Sequence, residues 1–267
     1  MKSLRPKQKV FGTREYMHVW PVILAAVIAF ILGISVPAAV ADEDGFDEAN
    51  IYFELNDTDG DLGIHALIDG DAWKRLEIED PMERVMLNIR VKGRLKRQGL
   101  TEIFFESAEP TFDELAPEDF FRRFPEGEYE IEGITLEGEE LESTAELTHV
   151  MPAPPDNITV NGLPFAEDCD EDPVPVVSAP VTIIWEPVTE SHSELGRTGE
   201  YVDVVLYQVV VEQEELGAVF SIDLPPEVTE ITIPDEFIAL GDEFKFEILV
   251  RESSGNQTAV ESCFEVE

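Results

Sequence analysis

Apolar and polar residues alternate with a period of two along most of this chain, and little of it carries the 3.6-residue period of an amphipathic helix. In the first half the alternation predicts strands at 51–55, 63–69, 73–79, 85–97, 100–107, 127–136 and 143–151. One short helix is expected in "PEDFFRRF", with Pro117 at its first position, Glu118 and Asp119 at its positive end, and Phe120 and Phe124 one turn apart on a shared face. Pro125 then stops it. The second half gives strands in "VTIIWEPV", "YVDVVLYQVVVEQ", "VTEITIP" and "FIALGDEFKFEILVRESSGNQTAVESCFEV". Between the halves, "HVMPAPPDN" concentrates prolines and marks a boundary. The expected fold is all-β: two tandem antiparallel β-sandwich domains over 42–151 and 152–267, with one short helix in the first.

Residues 1–41 fall outside that pattern. Lys2, Arg5, Lys7, Lys9 and Arg14 precede an apolar run that ends in Ala39-Val40-Ala41, after which the chain turns acidic at "DEDGFDE". This reads as a signal peptide cleaved after Ala41. The alternative is an uncleaved membrane anchor, since the run approaches the roughly 20 residues that span a bilayer. The expected location is the periplasm, the cell surface or the exterior, with no membrane contact once the leader is gone.

The whole chain has 18 basic and 58 acidic residues. Removing the five leader cations and Glu15 leaves 13 against 57, a net charge of about −44. Such a surface repels nucleic acid and anionic lipid, while an apolar fraction of 43% is too high for a disordered acidic tail. Cys169 and Cys263, in a chain bound for an oxidising compartment, are expected to pair. That crosslink would be worth on the order of 4–5 kcal/mol in the chain-entropy account.

Residues 152–267 resemble a fibronectin type III domain. Trp185 in "VTIIWEPV" stands where that family packs a tryptophan into its core. "IALGDEF" matches the corner leading into its sixth strand, with Phe244 where the family usually has tyrosine, and "SSGNQT" resembles the turn before its last strand. Phe244 lacks the hydroxyl that would bond back to the chain, so packing alone is expected to hold the corner. The stretch 165–180 is longer than the family's first crossing, and a Cys169–Cys263 bond would staple it to the last strand. In the first half, "FPEGEYEIEGITLEG" resembles turns of bacterial immunoglobulin-like sandwiches. Both resemblances imply modules whose function lies on loops and exposed faces.

Candidate chemistry is sparse. Asp57, Asp59 and Asp61 alternate in "NDTDGDLG", as a calcium ion seeking six to eight oxygens would require, with Asp69 and Asp71 on a following turn. The EF-hand register fails, because Leu62 holds the sixth position and no glutamate the twelfth. Two acidic Asp-Gly turns without a metal are the competing reading. Arg90, Lys92, Arg94 and Lys96 recur every second residue and, with Arg97, would line one face of a strand. They form either a stripe for an anionic glycan or acidic protein, or cross-strand partners of Glu77 and Glu79, or of Glu128, Glu130 and Glu132. Catalytic signatures such as Gly-x-Ser-x-Gly or His-Glu-x-x-His are missing. His65, His149 and His192 stand in separate segments; His65 is expected to be a half-buried strand histidine, with a ligand or proton carrier as the alternative, and His192 is expected to be solvated. The expected function is a non-enzymatic binding or structural module that meets a protein or glycan at the cell surface, with calcium as its only candidate cofactor. The alternative is a hydrolase built around His65 and the Asp57, Asp59, Asp61, Asp69 and Asp71 cluster.

Overall fold

The structure, a computed structural model, describes residues 45–169 and 173–267. The expected leader, its cleavage after Ala41 and the anchor alternative lie outside these residues. No helix among the described residues is long and apolar enough to cross a membrane.

The first half is built from β1 (Glu48–Asn56), β2 (Asp61–Glu79), β3 (Val85–Arg90), β4 (Leu100–Glu106), α1 (Pro117–Arg123), β5 (Gly127–Thr135) and β6 (Glu140–Leu147). The segments 63–69 and 73–79, expected as two strands, are one strand of 19 residues. Its first part pairs antiparallel with β1 on one side and β4 on the other. Its last part lies between β3 and β5. The exchange of partners falls around Gly70, where a Cβ would come within 3.1 Å of the Phe46 ring. The alternation that marks the strands is the alternation of burial: Phe53, Leu55, Ile64, Ile68, Trp73, Leu76, Ile78 and Tyr129 point into one core. Helix α1 starts at Pro117 as expected and closes this core with Phe120 and Phe121, whose rings meet Phe53 edge-on at 6.1 and 5.2 Å.

The second half contains β7 (Thr159–Val160), β8 (Leu163–Pro164), β9 (Val176–Val177), β10 (Val181–Ile184), β11 (Val204–Gln213), β12 (Ala218–Leu224), β13 (Glu230–Ile233), α2 (Asp235–Ile238), β14 (Glu243–Glu252) and β15 (Gln257–Val266). A four-stranded sheet, β13-β10-β7-β8, packs against β12-β11-β14-β15. This is the two-layer strand order of a fibronectin type III domain, and the residues that carry the resemblance sit where it requires. Trp185 is buried against Tyr207, with ring centroids 5.4 Å apart. Phe244 stacks on Phe264 at 5.2 Å and meets Phe237 at 5.9 Å, so packing replaces the missing hydroxyl. Cys169 and Cys263 are bonded, tying the long first crossing to β15.

One feature of the join has no precursor in the alternation pattern. Strand β1 pairs in parallel with β15, with Glu54, Leu55 and Asn56 opposite Gln257, Thr258 and Ala259. The pairing merges both halves into an eleven-stranded sheet. Asn256, with no exposed surface, locks the junction: its Oδ1 accepts from the Phe53 N–H at 2.8 Å, and its Nδ2 donates to the carbonyls of Thr148 and Val150 at 2.9 Å each. Beside it, Thr258 donates to the Pro152 carbonyl at 2.8 Å. Replacing Asn256 by alanine leaves one buried donor and two carbonyls of the connecting segment without partners. We expect Asn256→Ala to cost about 3 kcal/mol or more, read as a lower urea midpoint; an unchanged midpoint would show that the junction contributes nothing to stability.

Candidate functional site

The parallel pairing gathers carboxylates that are far apart in sequence onto the outer face of the merged sheet. Phe53, Leu55 and Ile64 face the core, so Tyr52, Glu54 and His65 face outward. Across the strands, Tyr52 stands opposite His65, His65 opposite Glu106, Glu54 beside Gln257, and Glu247 opposite Glu261. The segment 107–115 folds back over this face. The Ser107 N–H donates to the Ile64 carbonyl at 3.0 Å, the Ile64 N–H to the Ser107 hydroxyl at 3.1 Å, and the Phe112 N–H to the Gly60 carbonyl at 2.8 Å. This strap lays Glu109 directly across Gly63, where a Cβ would stand 2.4 Å from Glu109 Oε1. Only glycine leaves that room.

His65 is the centre of the arrangement and is only 3% exposed. Its Nε2 lies 3.1 Å from Glu109 Oε1 and its Nδ1 3.6 Å from Glu54 Oε2. The rings of Tyr52 and Phe104 wall it at 5.4 and 5.8 Å. Gln257 donates to the same Glu54 oxygen and is itself held by Arg251 Nε at 2.8 Å, whose guanidinium lies 5.7 Å over the Tyr52 ring. Burial opposes a charge on His65, but the Glu109 hydrogen bond and the carboxylates of Glu54, Glu109 and Glu106 outweigh it and raise the imidazole above its ordinary value.

Four of the surrounding acids are raised. Burial, followed by repulsion from Glu109, Asp59, Glu261 and Glu54, pushes Asp61 up to about 7. Burial, followed by Glu54, Glu261, Glu212 and Glu109, pushes Glu247 up to about 8. Glu106 and Glu261 are raised for the same two reasons, burial first and neighbouring carboxylates second.

The five aspartates expected to form a calcium loop do not converge. Asp57, Asp59 and Asp61 lie at one end of β2, while Asp69 is eight residues and Asp71 ten residues further along it, which places them roughly 26 Å or more away. Asp57 accepts from His192 Nε2 at 3.0 Å; because His192 Nδ1 accepts the N–H groups of Glu194 and Leu195, Nε2 is the protonated nitrogen. His192 is therefore buried and structural, not solvated. The turn closes locally, with Asn56 Oδ1 accepting from the N–H groups of Thr58 and Asp59. Asp69 accepts from the neighbouring Gly70 N–H.

The basic stripe is a loop for most of its length. Strand β3 ends at Arg90, Gly93 takes φ +64°, and Leu95–Arg97 form a 3-10 turn, so the period-two alternation does not continue to Arg97. Arg90, Lys92, Arg94, Lys96 and Arg97 are all exposed, and none of them forms an ion pair among the described residues. Of their expected partners, Glu77 binds Arg75 and Asn88 instead, Arg90 stands opposite Arg75, and Glu79, Glu128, Glu130 and Glu132 pair with none of the five.

Sequence reasoning singled out His65 but missed Glu54, Glu106, Glu109, Glu247 and Glu261. In so acidic a chain no glutamate stands out by type, and only the strand register selects these. Two open cavities lie away from this face: one of about 550 Å³ beside Phe121, His149 and Arg197, and one of about 340 Å³ beside Asp80, Arg84 and Tyr129.

No family model matches the chain, and no curated protein matches it significantly. Among solved structures, a two-domain fibronectin type III segment from chicken tenascin aligns over 83% of this chain and 99% of its own, with 11% identity and a TM-score of 0.27. A structure described for the host cell surface retention of a 1.5-MDa bacterial ice-binding adhesin aligns over 85% of this chain and 66% of its own, at 12% identity and a TM-score of 0.25. A tetra-tandem repeat from the extending region of a large adhesion protein aligns over 82% and 50%, at 10% identity and a TM-score of 0.25. With scores this low, the fold assignment rests on the strand order itself.

The raised acids give stability an inverted pH dependence. A carboxyl whose folded pKa lies above its unfolded value binds more protons when folded, so its contribution is lost as pH rises from the unfolded to the folded pKa. For Asp61 that window runs from 3.8 to about 7, and for Glu247 from 4.5 to about 8. At constant high salt the melting temperature should fall between about pH 5 and pH 8.5, and Glu247→Gln should flatten the fall and raise the pH 8.5 value by a few degrees. A melting temperature that climbs over this range would contradict the assignment.

Proposed function

We propose that this chain is an exported, non-enzymatic binding or structural module of the cell exterior that presents the 90–97 loop to an anionic partner. The observation that carries this reading is the exposure of Arg90, Lys92, Arg94, Lys96 and Arg97, without acidic partners among the described residues, on a chain of net charge −40. A surface acidic elsewhere repels anionic partners, so the loop sets both the place and the orientation of docking. The partner should carry a compact anionic patch, an acidic protein surface or a short anionic glycan, since a long polyanion would run onto the acidic face.

Supporting the non-catalytic reading, His65 is only 3% exposed and packed between Tyr52 and Phe104. The merged sheet supports a structural role, because it joins the halves through strand hydrogen bonds in addition to the connecting chain. Export remains the reading of the leader and of the Cys169–Cys263 bond.

The test is retention of the full chain on an immobilised sulfated tetrasaccharide and on an immobilised acidic peptide. Retention on at least one surface at about 50 mM salt, lost as the salt concentration rises severalfold, is expected. The triple variant Arg94→Gln, Lys96→Gln, Arg97→Gln should lose it while melting at the wild-type temperature. Equal retention of wild type and variant would remove the loop from the account.

A further inference from the structure

We propose that Glu54, His65 and Glu109 form a binding site for a divalent transition-metal ion of the zinc type on the outer face of β1 and β2. The inference is independent of what the 90–97 loop binds. One carboxylate oxygen of Glu54, one ring nitrogen of His65 and one carboxylate oxygen of Glu109 lie within 4.8 Å of one another. They come from three segments: β1, β2 and the strap that follows β4. An imidazole nitrogen with two carboxylate oxygens is a donor set that suits zinc and its neighbours, whereas calcium seeks six to eight oxygens. The third carboxylate by strand register is Glu106, opposite His65, and a catalytic-type three-ligand set otherwise leaves its fourth position to water.

Three further observations set this apart from a chance meeting of acids on an acidic protein. First, His65 is buried, yet a carboxylate faces each of its ring nitrogens. Even an imidazolium, which would donate to both, brings one positive charge against the carboxylates of Glu54, Glu106 and Glu109. Neither Glu54, Glu106 nor Glu109 is ion-paired to a lysine or arginine among the described residues. The face therefore holds a deficit of positive charge around a buried ring, and a bound cation would supply it. Second, the slot is built. Gly63 makes room for Glu109 to cross the strand, and the Ser107 hydrogen bonds to Ile64 fix the strap that carries it. Third, Glu54 is oriented from behind by Gln257, which Arg251 holds in turn. Partners of this outer kind fix a ligand carboxylate and hold it ready for the metal. Glu54 and Glu109 both keep 28% of their side-chain surface exposed, which leaves an ion a way in.

Occupation would have a structural consequence. The ion would clip the 107–115 strap to β1 and β2, next to the strands that join the two halves. Metal binding would then stabilise the junction itself.

The test is calorimetric titration and thermal melting of the chelator-treated full chain with zinc, calcium and magnesium, each at constant high ionic strength. The expected result is one zinc ion per chain at micromolar or tighter Kd, with a rise in melting temperature that equal calcium or magnesium does not reproduce. Cobalt in place of zinc should give visible absorption bands of a low-coordinate site with a nitrogen ligand. Glu109→Gln, on the partly exposed strap, should weaken zinc binding at least tenfold without unfolding the chain. His65→Gln should do the same and remove the cobalt bands, and Gly63→Ala should weaken zinc by displacing Glu109 although it touches no ligand atom. Glu128→Gln, on β5 opposite Glu146 and away from this face, should leave zinc affinity unchanged. Zinc binding of equal affinity in wild type and Glu109→Gln, or multiple weak ions with no preference for zinc over calcium, would overturn the site and reduce the face to diffuse counter-ion attraction.

Discussion

Strand β1 is hydrogen-bonded on both sides, antiparallel to β2 within its own half and parallel to β15 of the other, and this double pairing constrains everything around it. Glu54–Asn56 are paired on both sides, so where the two halves meet this part of β1 offers no open edge to another chain. The backbone groups at the seam are satisfied from both directions. Asp57 N–H continues the ladder to the Ala259 carbonyl at 2.9 Å, and Asn256 serves the Phe53 N–H together with two carbonyls of the connecting segment. The 191–197 loop adds a second clasp: His192 binds Asp57, the Arg197 N–H reaches the His149 carbonyl, and Leu195 packs on the first core. Gly196 passes so close to the His149 carbonyl that a Cβ would stand 2.0 Å from it, in a backbone conformation with φ +63°.

The same pairing creates the acidic face. Had the halves been joined by the proline-rich connector alone, Glu54 and His65 would lie on one module and Glu247, Gln257 and Glu261 on another. Laid side by side, the first half's carboxylates add to burial in raising the proton affinity of Glu247 and Glu261. Clustering like charges on a sheet at neutral pH is costly, and the cost is tolerated here at the point where the two modules are fastened. The basic loop lies at the far end of the first half's edge strand β3, where no such crowding occurs. Charge is thus distributed unevenly, with the main uncompensated cations held on one loop.

Much of the fold was legible in the alternation pattern, because alternating burial is what a sandwich strand physically requires. Helix α1 follows from local residue chemistry, the Cys169–Cys263 bond from two cysteines in a chain read as exported, and the Trp185 core and Phe244 corner from the resemblance to fibronectin type III domains. Three things were not legible. The continuity of β2 through Gly70 was hidden because "DGDA" carries strong turn chemistry, overridden here by pairing on both sides. The departure of the 90–97 loop from a strand was hidden because its charges alternate with period two, although Gly93 at positive φ breaks the geometry. The parallel pairing of β1 with β15, separated by about 200 residues, leaves no periodic trace at all. Glu247 and Glu261 join the acidic face through that pairing, whereas Glu54 and Glu109 reach His65 through the β1–β2 register and the 107–115 strap, so His65 could be noticed in the sequence while its partners could not.

The central claim is that the two hydrophobic cores unfold as one because β1 belongs to both halves. Differential scanning calorimetry of the full chain tests it most directly. The account predicts a single transition whose calorimetric and van't Hoff enthalpies agree, with Leu76→Ala in the first core and Ile248→Ala in the second lowering that same midpoint. Two resolved transitions, each moved by only one of the two substitutions, would contradict it.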